Sequence, residues 1–273
     1  MFEIKGKVNT AICYAKVIED EAIEQIRRMC DYDLTEGSQV RIMPDVHAGK
    51  GCTIGTTMTI TDKACPNIVG VDIGCGMYTV KLLDTVLDFE KIDEACHYIP
   101  SGMHVWEGRA ERFPLTELRC YRSLRDTKRL ERSLGTLGGG NHFIEIDQAS
   151  DGTFYLIVHS GSRNLGKQVA EIYQQLAVEL YMGKEDYFRQ REEIIRTYKA
   201  DGRRKEIQDA LMELQNHYEV QALLVPEDIC WLYGSFLENY LQDVEICQRF
   251  AKRSRGKGSD SHQYERWFCY SCW

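Results

Sequence analysis

The sequence predicts an α+β chain with a sheet-rich front half and a helical back half. Three observations carry this. Short apolar or β-branched runs between residues 39 and 82 are separated by Gly, Pro, Asp and Asn, as strands and turns require. Beyond Gly166 the texture changes to long helical periodicity. Strands and helices are segregated along the chain and do not alternate as βαβ units, and no internal repeat interrupts the order.

Taken in order, residues 20–30 (DEAIEQIRRMC) place apolar positions at helical spacing behind two acids, which predicts an amphipathic helix. Strands are expected at 39–43, 52–60, 67–72 and 77–82. Residues 88–97 read as a capped helix and 114–133 as a longer, basic one. Two further strands, 142–147 and 154–159, flank the turn signal Ser150-Asp151-Gly152. The back half is expected to form helices over 167–181, 184–198, 203–218 and 226–253. The last stretch, SRGKGSDSHQYERWFCYSCW, has no recognisable period, and the single Cys269-x-x-Cys272 lacks the second pair of a zinc knuckle. Residues 1–253 are therefore expected to form the domain, and 254–273 an unpatterned tail, disordered or frame-shifted.

The 273 residues, 43% of them apolar, can supply a substantial core. No run approaches the roughly 20 apolar residues that span a bilayer, and MFEIKGKVNT lacks the apolar core of a signal peptide, so the expected location is the cytoplasm. Eleven cysteines without paired spacing read as reduced thiols, some free to bind metal. A net charge of −8 excludes indiscriminate coating of nucleic acid, which draws its affinity from Lys and Arg at phosphates. Local contact remains open at residues 109–132, where basic and aromatic residues interleave, and at 189–205. Acids interspersed in both segments favour solvated helix faces.

Chemistry concentrates in four segments: MPDVHAGKGCTIG (43–55), VGVDIGCGM (69–77), LGTLGGGNHFIEI (134–146) and VHSGSRNLG (158–166). Singly, a strand-end histidine is a core residue more often than a ligand, and a Gly-rich turn is often only a turn. Together, Asp72, Cys75, His142 and His159 fall at strand ends or adjoining turns, where loops on a rigid sheet collect functional groups. Carboxylate, thiolate and imidazole form a mixed hard and soft set that suits zinc, iron or manganese. Successive N–H groups in LGGGNHF would cradle a phosphate, and Ser160-Gly161-Ser162-Arg163 would add hydroxyls and a guanidinium fork for a second. The phosphate loop G-x-x-x-x-G-K-[ST] does not occur.

In this order the four segments resemble those of the RtcB family of RNA ligases, and the likeness runs from the first residues to about Arg253. The resemblance implies an RtcB-like fold and joining of an RNA 3'-phosphate or 2',3'-cyclic phosphate to a 5'-hydroxyl, with GTP and manganese as cofactors. It implies that Asp72, Cys75 and His142 ligate one manganese, and that Cys75, as a bridging thiolate, and His159 ligate a second. It further implies that Asn141, His142, Phe143, Ile144 and Glu145 contact the guanylate, with Asp45 and His47 near the reaction centre. RNA ends and GTP are the implied partners, through guanylylation of a histidine, transfer of the guanylate to the RNA 3'-phosphate and attack by the 5'-hydroxyl.

The family's nucleophilic histidine lies in a C-terminal H-G-A-G-R type motif, and a further metal-binding histidine precedes it. Neither context occurs here, and the later histidines, His217 and His262, have no matching neighbours. A ligase truncated at its C-terminus and inactive as this chain is expected. The alternatives are a metal-dependent phosphatase or nuclease, and a noncatalytic module that binds RNA ends.

Overall fold

A computed structural model describes residues 1–49, 51–83, 86–216 and 222–256. His217, His262, Cys269 and Cys272 lie outside these. In chain order the elements are β1 (Phe2–Lys5), β2 (Thr10–Cys13), α1 (Asp20–Cys30), β3 (Val40–His47), β4 (Ile54–Met58), β5 (Lys63–Ala64), α2 (Pro66–Val69), β6 (Gly76–Lys81), α3 (Phe89–His97), α4 (Thr127–Arg132), β7 (Phe143–Gln148), β8 (Phe154–Ser160), α5 (Arg163–Glu179), α6 (Glu185–Ala200), α7 (Ile207–Asn216), β9 (Leu232–Tyr233) and α8 (Gly234–Ser254). Short 3₁₀ turns link several of them. The α+β class is as predicted, with nearly all strands before residue 161 and the long helices after it. Among the described residues, no helix is long and apolar enough to cross a membrane, and the nine cysteines are free thiols.

The backbone divides into two units, Met1–Val69 with Tyr173–Leu237, and Gly70–Ile172 with the chain from Glu238 onward. In the first, β1 and β2 form an antiparallel hairpin, β2 and β3 pair in parallel, and β4 closes a four-stranded sheet in the order β1-β2-β3-β4. A parallel pair needs a crossover, and α1 supplies it. Its apolar face buries Ile26, Met29 and Cys30 against Ile4, Ala11, Val40 and Ile42 of the sheet. The register of β3 and β4 shifts between Ile42 and His47, where Pro44 removes a ladder donor.

In the second unit, β6, β8 and β7 form an antiparallel sheet in that order. The register sets Met77 opposite His159 and Phe143 opposite His159 on the other side. The starts of β6 and β7 therefore meet the end of β8, which is the arrangement the site needs.

Four expected elements come out differently. Residues 67–72 form no strand: Ile68 and Val69 donate to the Cys65 carbonyl in the short helix α2, and the Asn67 N–H goes to the Gln174 side chain at 3.1 Å. Residues 114–133 are not one helix. The backbone N–H groups of Arg119 and Cys120 donate to the buried Asp243 carboxylate at 2.8 and 3.0 Å, which takes them out of an i→i−4 ladder. Helix α4 starts only at Thr127, capped by the Asp126 carboxylate accepting from the Arg129 N–H at 3.1 Å. Residues 226–253 begin with a 3₁₀ turn and β9, because the apolar run Ile229-Cys230-Trp231-Leu232 is buried and Leu232 and Tyr233 pair with Ala64 and Lys63. Within 203–218, the described helix is α7, preceded by a 3₁₀ turn at Arg204–Glu206. Strands β1, β2 and β5 had no expectation; at two to four residues each, they are too short to show a period.

Asp243 is fully buried and accepts two backbone N–H bonds. Asp243→Ala should therefore lower unfolding free energy by about 2–5 kcal/mol, since it strands two donors. Thermal denaturation checks this: a midpoint drop of about 10 °C is expected, and Asp243→Asn should lose less because one acceptor remains.

Candidate metal centre

The VGVDIGCGM segment turns on itself before entering β6. The Cys75 N–H donates to the Asp72 carbonyl at 3.1 Å, and Gly74 takes a left-handed φ of +78°. A non-glycine residue there would strain the backbone and press on Gln248 of α8, whose Cα would lie 2.9 Å from an added Cβ. This turn delivers Asp72 and Cys75 together to the end of the sheet.

Three ligand atoms converge there. The Cys75 thiol, His142 and His159 offer groups that all lie within 4.8 Å of one another. The Cys75 Sγ is 3.6 Å from the Nε2 of each histidine, and the two imidazole rings meet edge to face with centroids 5.4 Å apart. Bonds of about 2.0–2.1 Å to nitrogen and about 2.3 Å to sulfur at tetrahedral angles put those atoms about 3.6 Å apart. The spacing therefore matches that of two ligands on one first-row dication. Asp72 Oδ2 lies 2.9 Å from His142 Nε2, close to the separation of oxygen and nitrogen ligands about a right angle. The donor set fits a divalent metal.

The surroundings fix the ligands. His142 Nδ1 faces the Leu137 carbonyl at 3.1 Å, so an Nδ1–H would donate there and leave Nε2 to ligate a bound metal. The Ser160 hydroxyl donates to the same carbonyl at 2.8 Å. His159 stacks on Phe143 with centroids 5.3 Å apart, and its buried Nδ1 has no hydrogen-bond partner among the described residues. Burial, followed by the neighbouring Asp72 carboxylate, pushes the Cys75 thiol up to about 11, partly opposed by Arg255. Without a metal the thiol is protonated near neutral pH; a bound dication would invert that preference.

Glycines make the close approach possible. A Cβ on Gly161 would fall 1.9 Å from Asp72 Oδ1. At Gly138, which has φ +101°, it would fall 2.5 Å from His142 Nδ1 and 2.1 Å from a guanidinium nitrogen of Arg163. Within the run Gly138-Gly139-Gly140, it is Gly138 where a side chain is excluded.

Of the guanylate set, His142 faces Cys75 and Asp72, and the Phe143 ring packs on His159. Asn141 and Glu145 are exposed, Ile144 is half-buried, and open space surrounds the position of a Cβ on Gly140. The expected phosphate site at 160–163 is only partly available. Ser162 is fully buried, its hydroxyl unpartnered among the described residues, while the Arg163 side chain donates to Thr136 Oγ1 at 2.9 Å and to the Gly102 carbonyl at 2.7 Å. Asp45 and His47 belong to the first unit, on β3, where His47 Nδ1 faces the Asp45 carbonyl at 2.9 Å and both residues are exposed.

Arg255 escaped the sequence reading, which placed it in the tail. It follows α8 directly and donates to the carbonyls of Gly74, at 2.8 Å, and Ser160. Ser254 is also held, accepting from the Gly135 N–H at 3.0 Å. The helical period of residues 226–253 was the only available signal, and it continues through the Arg255 N–H bond to the Ala251 carbonyl.

Comparison with known proteins identifies the family of this sequence. The family model for tRNA-splicing ligase RtcB matches residues 25–119 and 117–257. RNA-splicing ligase RtcB1 of Escherichia coli strain ATCC 25922 is 34% identical over 162 residues, covering 50% of this chain and 40% of the relative. RNA-splicing ligase RtcB of Escherichia coli strain K12 matches to the same extent. RtcB2 of the ATCC 25922 strain is 32% identical over 170 residues, covering 56% of this chain and 42% of its own length. The chain thus spans about two fifths of the relatives it matches. With the family model covering well over half of its residues, the chain belongs to the RtcB family of RNA-splicing ligases.

Proposed function

We propose that this chain carries the metal- and guanylate-binding part of a GTP- and manganese-dependent RNA ligase of the RtcB type, which joins RNA 3'-phosphate or 2',3'-cyclic phosphate ends to 5'-hydroxyl ends. The observation that supports it most is the Cys75 thiol set 3.6 Å from two imidazole nitrogens, with Asp72 beside one of them. Asp72, Cys75 and His142 would hold one manganese, while Cys75, shared as a thiolate, and His159 would hold the second. Dications held there would supply charge neutralisation for a transferring phosphoryl group and orientation of its oxygens.

The chain's own residues then position the reactants. Asn141 and Glu145, exposed beside the Gly-rich turn, contact the guanylate, and successive N–H groups of that turn face its phosphate. The seven histidines of the sequence include none in an H-G-A-G-R context, so none is assigned as nucleophile.

Calorimetry and intact-mass analysis with GTP and Mn²⁺ test the proposal. GTP binding is expected to require Mn²⁺ and to weaken about tenfold in Asn141→Ala, the loss of one or two polar contacts. No covalent guanylate should form on this chain. A mass increase matching one guanylate would show that a nucleophile is present after all. Phosphate release or RNA cleavage without GTP would favour a phosphatase or nuclease, and RNA binding that ignores both Mn²⁺ and Cys75→Ser would favour a noncatalytic module.

A further inference from the structure

One basic feature of the second unit takes no part in the metal centre. Arg249, Lys252 and Arg253 stand at i, i+3 and i+4 on α8 and therefore share one face. Opposite them runs the segment Glu111-Arg112-Phe113-Pro114, and the two enclose an open groove of about 400 Å³. Two of its cations are neutralised, Arg253 by Glu111 and Arg249 by Glu117 at 2.8 Å. Arg112 and Lys252 are exposed and have no ion-pair partner among the described residues. Phe113 sits edge to face on the buried Phe250, with centroids 5.0 Å apart, so an anchored aromatic ring lines a groove with surplus positive charge.

That combination, cations along a groove with an aromatic platform, is the chemistry that binds single-stranded nucleic acid through its phosphates and base faces. It stands out in a chain whose net charge is −8. The same helix connects it to the metal centre. From Arg249 to Arg255 is six helical residues, about 9 Å along the axis. Arg255 donates to the Gly74 carbonyl, next to Cys75. At about 3.4 Å per nucleotide of a stacked strand, that separation is about three nucleotides.

We propose that this groove is a docking site for the single-stranded RNA flanking the end held at the metal centre, with Arg112 and Lys252 contacting phosphates and Phe113 a base. The inference rests on the proposed ligase function. It makes the 109–132 segment a local RNA contact at Arg112, where the sequence alone favoured a solvated helix face. An acidic peptide is the competing occupant.

The test uses the full chain and two oligouridylates with 3'-phosphates, a dinucleotide and an octanucleotide, in fluorescence anisotropy at several salt concentrations. The octanucleotide should bind about tenfold more tightly than the dinucleotide. In Arg112→Ala/Lys252→Ala that gain should vanish, and the salt slope should fall by about 1.4, the value for two single-strand phosphate contacts. Glu111→Gln, which frees Arg253, should strengthen octanucleotide binding, and it keeps the inference testable should the double variant fold poorly. A length gain that survives the double substitution and is unaffected by Glu111→Gln would overturn the inference, as would polyglutamate competing as well as RNA. Manganese retention is measured in the same samples. A chain that retains manganese but fails the RNA test loses only the groove, whereas one that holds no manganese loses the ligase function itself.

Discussion

Cys75→Ser is expected to weaken Mn²⁺ binding by more than about 100-fold, beyond the 10–100-fold typical of losing a partner that merely orients a ligand. The thiol is 3.6 Å from both imidazoles, so its removal takes a ligand from every metal position the cluster can form. A serine hydroxyl is no substitute, because it is far harder to deprotonate. The pH dependence gives a second signature. With the free thiol pushed up to about 11, metal binding must expel its proton, so affinity should rise about tenfold per pH unit between roughly pH 6 and 9. That slope should flatten in Cys75→Ser. Because Cys75 is exposed, the variant should melt close to the wild type. Equilibrium dialysis at two pH values checks both effects.

Gly161→Ala is the second large effect. The new methyl would overlap Asp72 Oδ1, at 1.9 Å, so the carboxylate must swing away from His142. Since Gly161 does not occupy the left-handed region, alanine fits the backbone itself, and the cost falls on the position of Asp72. Metal affinity should drop about 10–100-fold, as for loss of an orienting contact, while the melting midpoint moves little. Asp72→Asn provides the comparison: if Gly161→Ala acts through Asp72, the two substitutions combined should weaken binding no more than Asp72→Asn alone. Additive losses would place the effect of Gly161 elsewhere.

How far the sequence reveals this site depends on how local each signal is. Asp72 and Cys75 are joined by one turn, and His142 and His159 lie at ends of neighbouring strands, so the clustering of Gly, Asp, Cys and His in four segments could be seen without coordinates. The helix α1 was legible to its last residue because its buried face and first-turn acids are contained within eleven residues. Long-range partners defeated the reading elsewhere. The helix expected at 114–133 is broken by Asp243, more than a hundred residues away, and the strand expected at 67–72 by Gln174. Arg255 was hidden for the same reason, since its contacts at Gly74 and Ser160 are tertiary. The β-branched content of 67–72 measures compatibility with a sheet, but the backbone N–H groups of Asn67, Ile68 and Val69 go to Gln174 and Cys65 instead of a strand.

Under the proposed function, the Cys75 thiolate would serve two manganese ions. Electron paramagnetic resonance of the full chain titrated with Mn²⁺ at pH 8, alongside Cys75→Ser, tests it most directly. Two bound ions per chain with an exchange-coupled signal, lost in Cys75→Ser, are predicted. A single uncoupled ion, or a spectrum unchanged by the substitution, would contradict it.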